Sequence, residues 1–442
     1  MTLDRINTPV TRLAVAQGVA YAGRGAAMTA LIWRLYELSG SSWWVSGAML
    51  AVFGVSTVLS PFSGHLGDRH DRRQVVLVSA LIAAAGFALC VPLSLLGWLT
   101  PIVMVMIAAA STQGALSAAV QGAIPNLVDD DDLGSANSLA GAWKSAGFML
   151  GPGVGGLLLA VIGPAGVFAA SAVALTGAAA LVWRLEGRFR TAAPAEHAGS
   201  SMDGYRMLLR DPWMRLLTVS WALVMAGIGP VIVAEVVLAK QFAVGSTGYG
   251  LIAVFWDGGG VVGALLGRGL SRRAERPAVV GGLVAIAGGL AVVGLTPVFW
   301  PVLAGMAVAG LFDAFGVVAA QNIIQRRTPD HVRSRVSAAL DAVVLGTMSL
   351  SFALGAPLVE WVGAQGVYLL SAGVCLIGAM LLLPTLGGVP DIPRRARGLA
   401  RAVGGSPRSA SRALRGAVER RSPERSGDGR ASGKRHSERR PG

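Results

Sequence analysis

The sequence predicts an all-α membrane protein of twelve transmembrane helices, arranged as two six-helix bundles related by an internal repeat, and three observations carry that prediction. Of 442 residues, 53% are hydrophobic and 14% charged, with a mean hydropathy of +0.59, far above that of a water-soluble domain. The apolar residues run in stretches of about 20, the length that spans about 30 Å of hydrocarbon. A shift of about 200 positions lays Leu66, Gly67, Arg72 and Arg73 on Leu266, Gly267, Arg272 and Arg273. The same shift lays Gly155, Leu158, Gly163, Gly166, Val167 and Ser171 on Gly355, Leu358, Gly363, Gly366, Val367 and Ser371.

Taken in order, apolar runs broken by Gly, Pro or charge place six spans at 12–33, 43–63, 74–97, 101–123, 137–160 and 165–184, so that 1–184 forms the first bundle. The polar stretch 185–212 is a cytoplasmic connection, with 205–210 suited to a short surface helix. Spans at 214–238, 247–267, 278–296, 300–323, 336–359 and 366–387 make the second bundle, 213–387. Residues 388–442 hold 15 Lys/Arg against 5 Asp/Glu and few apolar side chains, which predicts a basic disordered cytoplasmic tail. Such a juxtamembrane segment rests on anionic lipid in preference to nucleic acid.

The net charge of +14 is concentrated in that tail. Before it, 19 Lys/Arg fall on the side of the N-terminus and two, Arg34 and Lys240, on the other, which puts both termini in the cytoplasm. The acidic run 129–132 falls on the same side, but acids weigh little in that rule. Only three of the 38 basic residues are lysine, the mark of a GC-rich genome and hence of a bacterial cytoplasmic membrane. Cys90 and Cys375 lie in apolar runs and lack metal-ligand spacing, so neither a metal nor a cofactor is expected. No nucleophile constellation and no G-x-x-x-x-G-K-[ST] loop occurs, which argues against an enzyme and against ATP as the direct energy source.

Two segments carry a family resemblance. The loop Gly64-His65-Leu66-Gly67-Asp68-Arg69-His70-Asp71-Arg72-Arg73 resembles motif A of the major facilitator superfamily, G-x-L-x-D-R-x-G-R-R. It departs at Asp71, where the pattern has glycine, which leaves the turn geometry open. Gly64 and Gly67 permit a tight turn, and Asp68 can meet a helix N-terminus and a neighbouring Arg, with Arg69, Arg72 and Arg73 at hand. The resemblance implies a conformational latch between the cytoplasmic ends of the bundles. Arg268 stands where the repeat would put a second Asp68, so the latch is one-sided; the plainer alternative is a basic loop obeying the positive-inside rule.

Span 5 holds Gly147-Phe148-Met149-Leu150-Gly151-Pro152-Gly153-Val154-Gly155-Gly156, similar to motif C of that superfamily's exporters, G-x-x-x-G-P-x-x-G-G. Gly147, Gly151, Gly155 and Gly156 allow close helix approach and Pro152 suits a kink, so the resemblance implies antiport; the alternative is ordinary small-residue packing. The run 123–128, with the four aspartates and 136–139 after it, resembles the drug- and macrolide-efflux branch.

Charges inside spans are costly and mark cavities, partners or proton paths. The bases Arg24 and Lys144 lie in the first half, and the acids Glu235, Asp257, Asp313 and Asp341 in the second. This division suggests pairing across the cavity, and the resemblance, in which spans 5 and 8 adjoin between bundles, implies Lys144 with Asp257 and, on cavity-lining helices, Arg24 with Asp313; Asp257 or Asp313 is then the expected proton carrier, a static ion pair being the alternative. Asp341 reads as structural and Glu235 as reaching outer water. Trp33, Trp43, Trp44, Trp98, Trp183, Trp213, Trp300 and Trp361 fall at span ends as interfacial anchors. Trp143, Trp221 and Trp256 lie deeper and, with Gln17 and Gln113 and the less central Gln121, Gln321 and Asn322, are candidate contacts of a substrate cavity.

The expectation is a monomeric secondary transporter that exports a hydrophobic drug or secondary metabolite in exchange for protons. Import or uniport of a small nutrient is the second reading, and a non-transporting membrane receptor a third.

Overall fold

The computed structural model describes residues 8–129, 132–185, 202–328 and 330–386, without the side chains of 8, 60–69, 203, 330–334 and 338. The tail 388–442 and most of the central connection therefore lie outside the described residues. Eleven α-helices follow in order: α1 (Thr8–Ser39), α2 (Ser42–Arg69), α3 (Arg72–Leu96), α4 (Leu99–Ala123), α5 (Leu133–Trp183), α6 (Met202–Arg210), α7 (Pro212–Gln241), α8 (Gly245–Gly267), α9 (Glu275–Leu295), α10 (Phe299–Arg327) and α11 (Asp330–Leu382). Among the described residues nine helices are long and apolar enough to cross a membrane. Helix α1 is long enough but less apolar, because Arg12, Arg24 and Arg34 interrupt it.

Helices α5 and α11 are each too long for one crossing, and each breaks at a glycine. Gly163 has φ 66° and ψ 177°, and Gly363 has φ 74° and ψ 169°, a conformation essentially confined to glycine. The two are repeat equivalents and lie where the sequence separates spans 5 from 6 and 11 from 12. Pro152 sits within helical backbone, eleven residues before the break.

The repeat governs packing as well as sequence. In the first half α1 lies on α5, α3 on α4 and α5, and α2 on α4; in the second α7 lies on α11, α9 on α10 and α11, and α8 on α10. Small residues make the tightest of these approaches possible: Gly147, Gly151 and Gly155 on α5 face Gly18, Ala22 with Gly25, and Ala26 on α1, where an added Cβ would strike main chain. Large apolar side chains point outward in a belt that includes Leu95, Trp98, Trp183, Leu295, Trp300 and Trp361, each more than half exposed. Such a surface suits acyl chains and would be a liability in water.

Two expected anchors are corrected. Trp33 and Trp213 are buried, because each has a cation to cover: Lys240 Nζ lies 5.7 Å from the Trp33 ring, and the Arg327 guanidinium 5.6 Å from the Trp213 ring.

At the end of the molecule opposite Gly163 and Gly363, charged side chains tie helix termini together. Asp71 caps α3 by accepting from Arg73 N (2.8 Å) and Gln74 N (3.4 Å), which explains an acid where the resembling motif has glycine. Arg72 donates to Gly122 O at the end of α4 (2.5 Å), and Arg73 to Trp183 O at the end of α5. In the second half Asp211 caps α7 and receives Arg327 from the end of α10 (2.9 Å), Arg326 meets Glu275, and Arg276 donates to Thr385 O beyond α11 (3.0 Å).

Candidate functional site

The two halves meet through α5 against α8 and α2 against α11, pairs that the repeat exchanges. The α5 face used here differs from the one turned to α1. Met149, Gly153 and Gly156 point at α8, and Gly156 approaches Gly250 so closely that an added Cβ would lie 2.5 Å from the Gly250 Cα. The main-chain N–H of Gly153 donates to Asp257 Oδ2 at 2.7 Å. On the other pair, Ala356 N–H donates to Ser46 Oγ (2.7 Å), Trp43 Nε1 to Glu360 (2.6 Å), and Phe53 packs on Phe352 with centroids 5.2 Å apart. Trp33 of α1 stacks on Tyr249 of α8 at 5.7 Å. These contacts form a seam running inward from the end where Gly163 and Gly363 turn the chain.

The charged residues singled out in the sequence are all within the helices, but neither expected pair forms. Asp257 faces the Gly153 N–H instead of Lys144, whose ammonium lies 5.8 Å over the Tyr21 ring and within electrostatic range of Asp341 on α11. Arg24 turns toward α4, donating from Nη1 to Ala109 O (2.6 Å) and from Nη2 to Thr112 Oγ1 (2.8 Å). Asp313 points into a cavity of about 20 Å³ inside the second half, lined also by Trp221, Leu283, Ile286 and Phe312. Arg24 and Asp313 each lean into their own half, while Asp257 crosses to a main-chain N–H; sequence spacing fixes position along a helix but not azimuth. Glu235 is half-buried and lies within electrostatic range of Asp257 and of the buried Tyr249 and Tyr368.

Among the cavity candidates, Gln17 is buried with its amide Nε2 lacking a partner, and Gln113 is half-buried next to Thr112. Trp143 is 39% exposed and its main chain packs on Gly18. Trp256 packs its main chain against Gly310, and Trp221 belongs with Asp313. Gly64, Gly67, Asp68 and Arg69 occupy the last turns of α2, and their side chains are outside the described set. Arg72 and Arg73 spend donors on carbonyls of their own half. Sequence reasoning missed Gly153, Tyr249 and Tyr21, whose contacts cross between helices; the Gly153 signal was available in its place between Pro152 and Gly155, on the opposite face. Among the described residues no group of three His, Cys, Asp or Glu side chains is placed to hold a metal ion.

Comparison with known proteins agrees with this architecture. The model of the Major Facilitator Superfamily matches residues 13–300 and 222–422. The multidrug efflux pump Tap of Mycolicibacterium fortuitum is 26% identical over 407 residues, 86% of this chain and 96% of that one. The enterobactin exporter EntS of Shigella boydii is 26% identical over 365 residues, 79% and 85% of the two chains. Among solved structures the nucleoside transporter NupG superposes with a TM-score of 0.68 at 13% identity, covering 87% of this chain and 100% of that one. The D-xylose-proton symporter gives 0.64 at 16%, covering 87% and 98%, and at these identities the likeness is one of fold.

Proposed function

Because the chain belongs to the Major Facilitator Superfamily, and so is a multi-pass membrane transporter and not an enzyme, we propose that it is a proton-coupled exporter of hydrophobic drugs or secondary metabolites in a bacterial cytoplasmic membrane. Its relatives named as a multidrug efflux pump and an enterobactin exporter support export. With α1 included, and α5 and α11 each counted as two limbs, twelve segments cross the bilayer as two bundles, 1–184 and 213–387, and work as a monomer. The excess of arginine at the end opposite Gly163 supports a cytoplasmic location for that end and both termini, with the latch residues from Gly64 to Arg73 there and the tail on anionic lipid.

On that orientation the seam closes the outer end, and the molecule is in the state that loads substrate from inside. The observation that carries the proposal is the Asp257–Gly153 hydrogen bond. A carboxylate in a small-residue interface, accepting a main-chain N–H from the opposite half, holds the halves together while it is ionised. Protonation of Asp257 removes the charge that strengthens the bond, so the protonation state of this carboxyl and the closure of the outer end are linked. Proton binding and substrate release then belong to one movement.

The test is efflux of a dye and antibiotic panel from pump-deficient cells, with and without a protonophore, comparing wild type with Asp257→Asn. The expected result is protonophore-sensitive export that falls at least about tenfold in Asp257→Asn, a loss equivalent to about 1.4 kcal/mol. Undiminished, protonophore-sensitive export by Asp257→Asn overturns the coupling role. The same fold serves a nucleoside transporter and a sugar symporter, so uptake of a small nutrient in the same cells would favour import.

A further inference from the structure

Two cations in the first half have no part in the seam. Arg24 is 7% exposed, both its partners are neutral oxygens, and its Nε–H has no acceptor. Gln17 lies two turns earlier on the same face of α1, 2% exposed, with its Nε2 donors likewise without a partner. Between them Tyr21 carries the ammonium of Lys144 over its ring, at 5.8 Å. Asp341 of α11 lies within electrostatic range of Lys144 without closing an ion pair, and Asp257 is committed to Gly153. The row 17–21–24 is therefore rich in donors and positive charge and poor in acceptors. A buried guanidinium without a counter-ion is among the costliest groups a membrane helix can hold, and a brace between α1 and α4 could be made with a neutral side chain.

We propose that this row is the binding site for an anionic group on the substrate, with Arg24 and Lys144 supplying charge and Gln17 a further donor. This rests on the transporter reading above and narrows its substrate class. Trp143, partly exposed and packed on Gly18 beside Gln17, offers an aromatic plane at the Gln17 end of the row. The ligand that fits is an amphiphilic organic anion: a flat apolar body bearing a carboxylate, sulfonate or phenolate, whose oxygens accept from the unpartnered donors. A simple inorganic anion lacks the body that Trp143 would cover.

The experiment is equilibrium binding to the full-length protein in lipid nanodiscs, read by fluorescence anisotropy, with two probes of similar shape: fluorescein, an anion, and rhodamine 6G, a cation. Wild type is expected to bind fluorescein at least about tenfold tighter than rhodamine 6G, and Arg24→Gln and Lys144→Gln each to weaken fluorescein about tenfold while changing rhodamine 6G less than twofold. Arg24→Lys should restore part of the loss. Fluorescein binding that is absent, no tighter than that of rhodamine 6G, or unchanged in both variants overturns the site. If Arg24→Gln does not fold, Lys144→Gln, at a half-exposed position, carries the decision alone. No gradient is present, so failure here leaves protonophore-sensitive export standing, and failure of export leaves binding standing.

Discussion

A single methyl group decides whether the seam can close. Gly156 and Gly250 bring the α5 and α8 main chains together, and a Cβ on either would lie inside van der Waals contact with the other's backbone. Gly156→Ala should therefore cost the closed-outer state about 1–3 kcal/mol, the usual range for overpacking. Its half stays folded, because the α1 side of α5 is untouched. The expected outcome is export reduced about tenfold at matched membrane expression, with faster hydrogen exchange at the outer ends of α5 and α8. Export at the wild-type rate would show that the seam is not rate-governing. Single residues were also where the sequence was hardest to read. Asp71 looked like a departure from a motif and is a helix cap; Arg24 and Asp313 looked like partners and lean away from each other. Charge, depth and type are legible in one dimension, while azimuth depends on which neighbour a helix face meets.

Helices α5 and α11 make the same device twice. Each consists of a first limb that also meets the opposite half and a second limb that packs within its own, joined by one glycine in a conformation other residues avoid. Gly163→Ala should cost about 1–3 kcal/mol of stability, seen as a lower melting temperature in detergent, whereas Gly177→Ala, in open helical surroundings, should be neutral or slightly stabilising. Equal melting of the two variants would remove the special role of the turn. At this scale the sequence was a good guide: the repeat paired Gly163 with Gly363, and the run from Gly147 to Gly156 marked an interface helix. It did not reveal that the run divides between two faces, 147–151–155 toward α1 and 149–153–156 toward α8, because spacings of four and of three to four both return to a helix face.

Over the whole molecule the helix pairings repeat, yet the chemistry does not: cations line the first half and acids the second. A symmetric frame with asymmetric charge is suited to two opposed cargoes, an organic anion and a proton, moving through one pathway. Rocking of the halves is testable with Ser46→Cys and Ala356→Cys, whose native groups are hydrogen-bonded across α2 and α11 at 2.7 Å. The disulfide should arrest export and reduction should restore it, with buried Cys90 and Cys375 leaving the background silent. Export unaffected by complete cross-linking would rule out opening at this seam. One asymmetry remains, in the lengths of the connections. On the Gly163 side they comprise 40–41, 97–98, Gly163, 242–244, 296–298 and Gly363, so no connection there exceeds three residues. An antibody, phage or protease approaching that side finds little to grip, and a reporter tag or epitope is better tolerated on the opposite side, where the longer connections lie.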